Sequence, residues 1–113
     1  MGQIELFHNF KKNSRSSSKP FFFSRHELGR LLQLYSRRVA TGDWRDYAID
    51  SDHAIAIFSV FKHTLDAPLY AVSKTRSQGE YIYAFYQGSL KIYQSQNLDD
   101  VLRAFEKRLK PIS

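Results

Sequence analysis

The chain has 113 residues, no cysteine and a formal net charge of +6. This length suits a single domain with one hydrophobic core, and a hydrophobic content of 42% is sufficient to fill that core. The lack of cysteine excludes disulfides, thiolate metal sites and cysteine nucleophiles. No apolar run is long enough to span a membrane, and the first residues lack the apolar centre of a secretory signal. We therefore expect a cytoplasmic protein.

Residues 1–19 are predicted to form a disordered basic arm. They contain four basic residues and one acidic residue, so half of the net charge of +6 lies on them. Their second half, KKNSRSSSK, has no apolar side chain that would anchor it to a core. Such an arm either contacts nucleic acid or an acidic partner, or only keeps the protein soluble. The rest of the chain, residues 20–113, is predicted to be one folded domain.

The first helix is predicted to begin directly after PFFF (20–23), which itself has the composition of a short edge strand. Ser24 and Glu27 form the Ser-x-x-Glu pattern of a capping box, in which each side chain accepts the backbone N–H of the other residue. Apolar residues at helical spacing extend the helix to about Ala40, and Gly42 is expected to end it. The expected buried stripe is Leu28, Leu31, Leu32, Tyr35 and Val39, with Arg30, Arg37 and Arg38 off it.

Four strands are predicted in the second half of the chain, because β-branched and aromatic residues recur between short turns. They are HAIAIFSVFKH (53–63), LYAVSKT (69–75), EYIYAFY (80–86) and LKIYQ (90–94). Asn97 then caps a second helix. Its apolar face is predicted to be Leu98, Val101, Leu102, Phe105 and Leu109.

These elements predict an α+β fold. We expect an antiparallel meander of four to five strands with two helices packed on one face, in the order β-α-β-β-β-β-α. The other face of this sheet is not cleanly polar, since strand 53–63 is apolar on both sides and strand 80–86 is rich in tyrosine. That face is therefore covered by the arm or by a second copy of the chain, or it is a binding surface.

The stretch GDWRDYAIDSD (42–52) holds four of the eleven acidic residues and the only tryptophan. Carboxylates beside a histidine can bind a hard cation or perform acid–base catalysis. The alternative is a structural corner, in which Asp43 suits the turn after the helix, Trp44 fills the joint with the sheet, and Arg45 pairs with Asp46. We favour the corner, because catalysis needs a shaped pocket that the sequence does not indicate.

The residues after this corner alternate like an incoming strand. Tyr47 and Ile49 are apolar at every second position, and Asp50-Ser51-Asp52 then has the composition of a turn. Elsewhere the chain lacks a glycine-rich phosphate loop and zinc spacing, and its four histidines are scattered. No cofactor and no metal are expected.

The sequence favours a binding module over an enzyme. The first hypothesis is a non-enzymatic adaptor that meets a protein partner, or a second copy of itself, through an open aromatic sheet face and the basic arm. The second is an RNA- or DNA-binding protein, because aromatic strands can stack bases and cations can contact phosphates. The candidate binding residues are Arg30, Arg37, Trp44, Arg45, Asp46, Tyr47, Lys62 and Lys74.

Two long runs of the chain resemble a bacterial family typical of alphaproteobacteria, domain of unknown function 2794. They are FFFSRHELGRLLQLYSRRVATGDWRDYAIDSD (21–52) and FSVFKHTLDAPLYAVSKT (58–75). The resemblance is most specific in the Trp-Arg-Asp-Tyr segment that begins at Trp44. It implies a compact cytoplasmic bacterial protein and no known activity, and it implies that this segment matters for the fold or for the function. The other matching positions are Phe23, Arg25, Glu27, Leu28, Tyr35, Arg37, Val39, Ala40, Gly42 and 48–50.

Overall fold

The computed structural model describes residues 21–63 and 67–109, so the predicted arm and Pro20 lie outside the described residues. Within them, five strands form one antiparallel sheet in sequential order. No helix in this part of the chain is long and apolar enough to cross a membrane. The elements are α1 (Arg25–Ala40), β1 (Asp46–Ser51), β2 (Ile55–Phe61), β3 (Tyr70–Ser77), β4 (Glu80–Gln87), β5 (Leu90–Ser95) and α2 (Leu98–Arg108). The predicted α+β class, with a meander and two helices, is confirmed.

Helix α1 begins and ends as the local sequence predicts. Glu27 donates its backbone N–H to the Ser24 hydroxyl at 3.1 Å, and Ser24 donates its backbone N–H to a Glu27 carboxylate oxygen at 2.7 Å. Beyond the last turn, Gly42 adopts a positive φ of 82°, a conformation that glycine takes without steric strain. Asp43 then donates its N–H back to the carbonyl of Arg38 at 2.9 Å, which satisfies one of the last helical acceptors.

The predicted strand before α1 is wrong, because the described residues of PFFF form no strand. The edge position belongs instead to β1, so the order is α-β-β-β-β-β-α. The segment has other partners: Phe21 donates its N–H to the Asp52 carbonyl, and the Phe22 carbonyl accepts from the Lys74 ammonium. Phe23 is buried in the core. Packing in the core therefore accounts for Phe23, whereas Phe22 is 59% exposed, and neither side chain belongs to a strand.

The main core lies between the two helices and one face of the sheet. Phe58, Val72 and Phe85 stand opposite one another on β2, β3 and β4, and all three are buried. Phe105 of α2 stacks on Phe85 with ring centroids 4.4 Å apart. Four of the five residues predicted for the apolar face of α2 are buried in it, and the fifth, Leu109, lies just beyond the helix and is partly buried against the same core: the four are Leu98, Val101, Leu102 and Phe105.

The buried stripe of α1 differs from the predicted one. Leu34 and Arg38 are buried with Leu31, whereas Val39 is 39% exposed. The difference arises because the Arg38 guanidinium is used inside the corner that follows the helix, which turns Val39 outward. A stripe of apolar residues alone does not indicate this, since arginine is counted as a surface residue.

The opposite face of the sheet is not the open aromatic surface that we expected. Tyr83 and Phe85 belong to the core on the helix-covered face. The other face has a small cluster built on Ile57 and Ala71, and Ala84 is buried on the same side. Its centre consists of small side chains, which include the buried serines Ser59 and Ser73, and these side chains are not exposed. A binding surface has to be sought elsewhere on the described residues.

Candidate functional site

The corner after α1 is held by one buried arginine. Arg38 donates from Nη1 to a carboxylate oxygen of Asp43 at 3.0 Å, and the Thr41 hydroxyl donates to the same oxygen at 3.1 Å. These two hydrogen bonds, the one from Arg38 first, hold the pKa of Asp43 below its usual range. Trp44 is 3% exposed and stacks on Phe105 at 5.6 Å between ring centroids. Asp43 and Trp44 are thus placed as the structural interpretation predicts.

The other acidic side chains near the corner are used locally. Asp46 accepts the backbone N–H of Tyr47 at 2.8 Å, so its carboxylate caps a backbone group. Asp52 is buried and accepts the N–H of Ala54 at 2.7 Å, which makes the turn between β1 and β2. The turn predicted at 50–52 therefore begins at Asp52, two residues later. In the described part of the chain, no group of three or more acidic or histidine side chains is arranged to hold a metal ion.

Arg30 and Arg37 line a groove of about 430 Å³ between α1 and α2. Arg30 lies 2.5 Å from an Asp99 carboxylate oxygen, and Arg37 lies 2.5 Å from one of Glu106. Both pairs are well exposed, and exposed pairs contribute little to stability, typically about 0–1 kcal/mol each. Their consequence is electrostatic. The carboxylates of α2 compensate two of the cations that were assigned to a nucleic-acid surface.

Lys74 is 4% exposed, although the sequence placed it on a basic surface. Its ammonium donates to a Glu27 carboxylate oxygen at 2.8 Å and to the Phe22 carbonyl at 3.1 Å. It also lies over the Tyr81 ring, 4.4 Å from the centroid, where the negative face of the ring attracts a cation. The side chain is therefore part of an interior network and does not face a partner.

Glu27 is the centre of that network. One carboxylate oxygen accepts from Lys74 and from the Ser24 N–H, and the other accepts from the Tyr83 hydroxyl. Burial alone would raise the pKa of Glu27, but these hydrogen bonds and the Lys74 charge outweigh it and hold the pKa below 4.5. Burial and then the hydrogen bond to Glu27 raise the pKa of Tyr83. The network thus pairs a carboxylate with a cation and a neutral phenol, and it joins α1 to β3 and β4.

The remaining candidate residues lie together at the N-terminal end of β1. They are Arg45, Asp46, Tyr47 and Lys62. Asp46 stands opposite Phe61 in the register of β1 and β2, which brings Arg45 and Lys62 to neighbouring positions. Arg45 and Lys62 are exposed. Lys62 also borders a shallow pocket of about 200 Å³ beside Trp44. These residues therefore lie beside the outer edge of β1, the edge that is not paired with β2.

Strand β1 is an edge strand among the described strands. Asp52 donates its N–H to the Ile55 carbonyl at 3.0 Å, and hydrogen-bonded residues alternate along an antiparallel ladder. Even-numbered residues of β1 therefore direct their backbone groups toward β2. Tyr47, Ile49 and Ser51 direct theirs outward, and the N–H of Tyr47 is the one that Asp46 caps.

Apolar side chains lie beside this outer edge. Tyr47 and Ile49 stand opposite Val60 and Phe58, on the side of the sheet that faces the helices. Each is 39% exposed, as is Val39. The Tyr35 ring lies 4.8 Å from the Tyr47 ring and extends the surface onto α1. We name Tyr35, Val39, Tyr47 and Ile49 the edge strip. Proteins usually avoid exposed apolar groups on an edge strand, because such an edge pairs readily with other chains.

Replacement of Trp44 by alanine should lower the free energy of unfolding by about 3–5 kcal/mol, because it empties the joint between α1, α2 and the sheet. Trp44→Phe keeps an aromatic ring against Phe105 and should lower the free energy of unfolding by less. Chemical denaturation of both variants measures the difference. A Trp44→Ala protein as stable as the parent would contradict the structural role of the corner.

Stability should fall at acid pH through Glu27. Its folded-state pKa lies below the ordinary value of 4.5, so its contribution is present above that value and is lost as the pH falls through the folded pKa. Glu27→Gln should lower the free energy of unfolding at pH 7 by about 1.5–3 kcal/mol, the usual contribution of a hydrogen bond to a charged group.

Denaturation of the parent and of Glu27→Gln between pH 7 and pH 3 checks this expectation. The difference between the two proteins should narrow as the pH falls. Glu106→Gln, which alters an exposed pair with Arg37, is the matched control and should have a small effect. A difference for Glu27→Gln that does not change with pH would contradict the assignment.

Comparison with known proteins identifies a family. The family model described as protein of unknown function (DUF2794) matches residues 21–102. No curated protein matches the chain, and no solved structure does. The matched region runs from the segment before α1 into α2, so it contains the corner, the Glu27–Lys74 network and the edge strip. The chain belongs to the DUF2794 family.

Proposed function

We propose that this protein is a non-enzymatic binding module that takes an extended segment of a partner protein along the outer edge of β1. The observation that carries the proposal is the edge strip, where exposed apolar side chains lie beside outward backbone groups of Ile49 and Ser51. A partner strand gains main-chain hydrogen bonds from such an edge and specificity from its alternate side chains.

Binding accounts for the residues of this region better than catalysis does. The Asp43 and Asp46 carboxylates accept hydrogen bonds from their own neighbours, and Asp52 is committed to a turn. The pocket beside Trp44 is shallow, at about 200 Å³. A catalytic group needs a positioned partner in a site that excludes water, and these carboxylates hold backbone and corner geometry instead.

A protein partner is also favoured over nucleic acid. Arg30 and Arg37 are paired with carboxylates of α2, and Lys74 is buried. Nucleic-acid affinity depends mainly on cations that neutralise phosphates. Two of the candidate cations are already neutralised by carboxylates, and the third is buried. The basic arm, residues 1–19, remains part of the proposal as a second contact with the partner, and the proposed location is the bacterial cytoplasm.

The test uses a photo-crosslinking amino acid at Val39 of the full chain in the cells that produce it. We expect one covalent protein adduct, because Val39 is exposed one helical turn beyond Tyr35, whose ring contacts Tyr47 of β1. Ile49→Pro should abolish that adduct. The Ile49 N–H points outward, so proline there removes a docking group without removing a hydrogen bond to β2. Leu90→Lys is the matched control on the other edge strand, at a residue that is 64% exposed, and should leave the adduct unchanged.

Three results would overturn the proposal. The first is no adduct, or an adduct that survives Ile49→Pro. The second is an adduct that nuclease removes, which would replace the partner protein with nucleic acid. The third is an adduct of twice the chain's mass, which would identify a second copy of this chain as the occupant.

A further inference from the structure

Asp46 closes one position of the outer edge of β1. Its carboxylate accepts the outward N–H of Tyr47 at 2.8 Å, the group that an incoming strand would use first. Native edge strands are commonly protected from unwanted pairing by charged side chains. A partner that binds this edge must therefore supply a replacement for both members of this hydrogen bond. It needs a carbonyl for the N–H of Tyr47 and a donor for the Asp46 carboxylate.

The charge of this region indicates what that donor is. Of the four acidic residues in 42–52, Asp43 is paired with Arg38 and Asp52 is buried in the turn after β1, so the carboxylates within β1 are those of Asp46 and Asp50. Successive side chains of a strand point to opposite faces, so Asp46 and Asp50 lie on one face of β1 while Tyr47 and Ile49 lie on the other. A strand that pairs with β1 meets the Asp46 carboxylate on one side and the apolar groups of Tyr47 and Ile49 on the other.

A second copy of β1 does not suit this edge. Antiparallel pairing of two identical β1 strands would bring the aspartates of both copies onto the same face near one another, and like charges on paired strands are destabilising. It would also join two chains that each carry a net charge of +6. The charge complement of the edge is a basic segment of a different protein.

We propose that the partner segment is an extended strand in which lysine or arginine alternates with apolar residues. This inference rests on the proposed function, because it uses the same edge. The apolar residues lie opposite Tyr47 and Ile49 and complete the edge strip. The basic residues lie on the aspartate face, and one of them takes over the Asp46 carboxylate, which releases the N–H of Tyr47 to a carbonyl of the partner. Asp46 thus protects the unpaired edge of β1 and favours a segment whose basic side chain displaces its hydrogen bond to Tyr47.

Two blocked peptides test the inference on the full chain, acetyl-TKVKVKT-amide and acetyl-TEVEVET-amide. We expect the lysine peptide to shift the backbone amide signals of Tyr47 and Ile49 in a two-dimensional NMR titration. The glutamate peptide should bind at least five-fold more weakly. Asp46→Lys should reverse this order. Glu80→Lys makes the same change of charge at the exposed start of β4, away from β1 in the sheet, and should leave the order unchanged.

The outcomes separate this inference from the proposed function. If neither peptide moves the β1 amides, the edge is not a docking site and both proposals fail. If both peptides shift these amide signals with equal affinity, or if Asp46→Lys leaves the order of the two affinities unchanged, the edge is still a docking site. The proposed selection of basic segments by Asp46 is then wrong. Loss of the five-fold preference in Glu80→Lys would also overturn it, since the preference would then reflect net charge alone.

Discussion

The described structure depends on the ion pair between Glu27 and Lys74. Glu27 is fixed at the start of α1 by the capping box, and Lys74 is fixed in the middle of β3. Their contact at 2.8 Å ties the first turn of the helix to the centre of the sheet. A buried charge without a partner is strongly unfavourable, so this contact specifies how α1 lies on the sheet. The Tyr83 hydroxyl adds a second link from Glu27 to β4.

The orientation of α1 accounts for the surface that we propose as functional. With the start of α1 held over β3, its last turn reaches the corner at Arg38 and Trp44, and Val39 is left exposed. Tyr35 contacts Tyr47 across the gap between the helix and β1. The edge strip is therefore a consequence of the same packing that builds the core. An apolar surface made in this way is pre-formed, which lowers the ordering cost of binding.

The sequence predicts the features whose causes are local. Ser24 and Glu27 lie three residues apart, so the sequence alone predicts the capping box. The apolar face of α2 follows from helical spacing alone. PFFF was misassigned because aromatic composition does not say which segment occupies an edge of the sheet, and β1 takes that place. Lys74 and Glu27 are separated by 47 residues, and only the folded sheet brings them together. Arg38 was misplaced because burial of arginine depends on the Asp43 carboxylate beside it.

The most direct test of this account is a double-mutant cycle between Glu27 and Lys74. Unfolding free energies would be measured at pH 7 for the parent, Glu27→Gln, Lys74→Met and the double variant. Each single replacement leaves a buried polar or charged group without its counterpart, whereas the double replacement removes both charges. We expect a coupling energy of about 0.5–3 kcal/mol, as for residues in one network, and the double variant should lose less unfolding free energy than the sum of the two single losses. Strictly additive losses would contradict it, because the two side chains would then act independently.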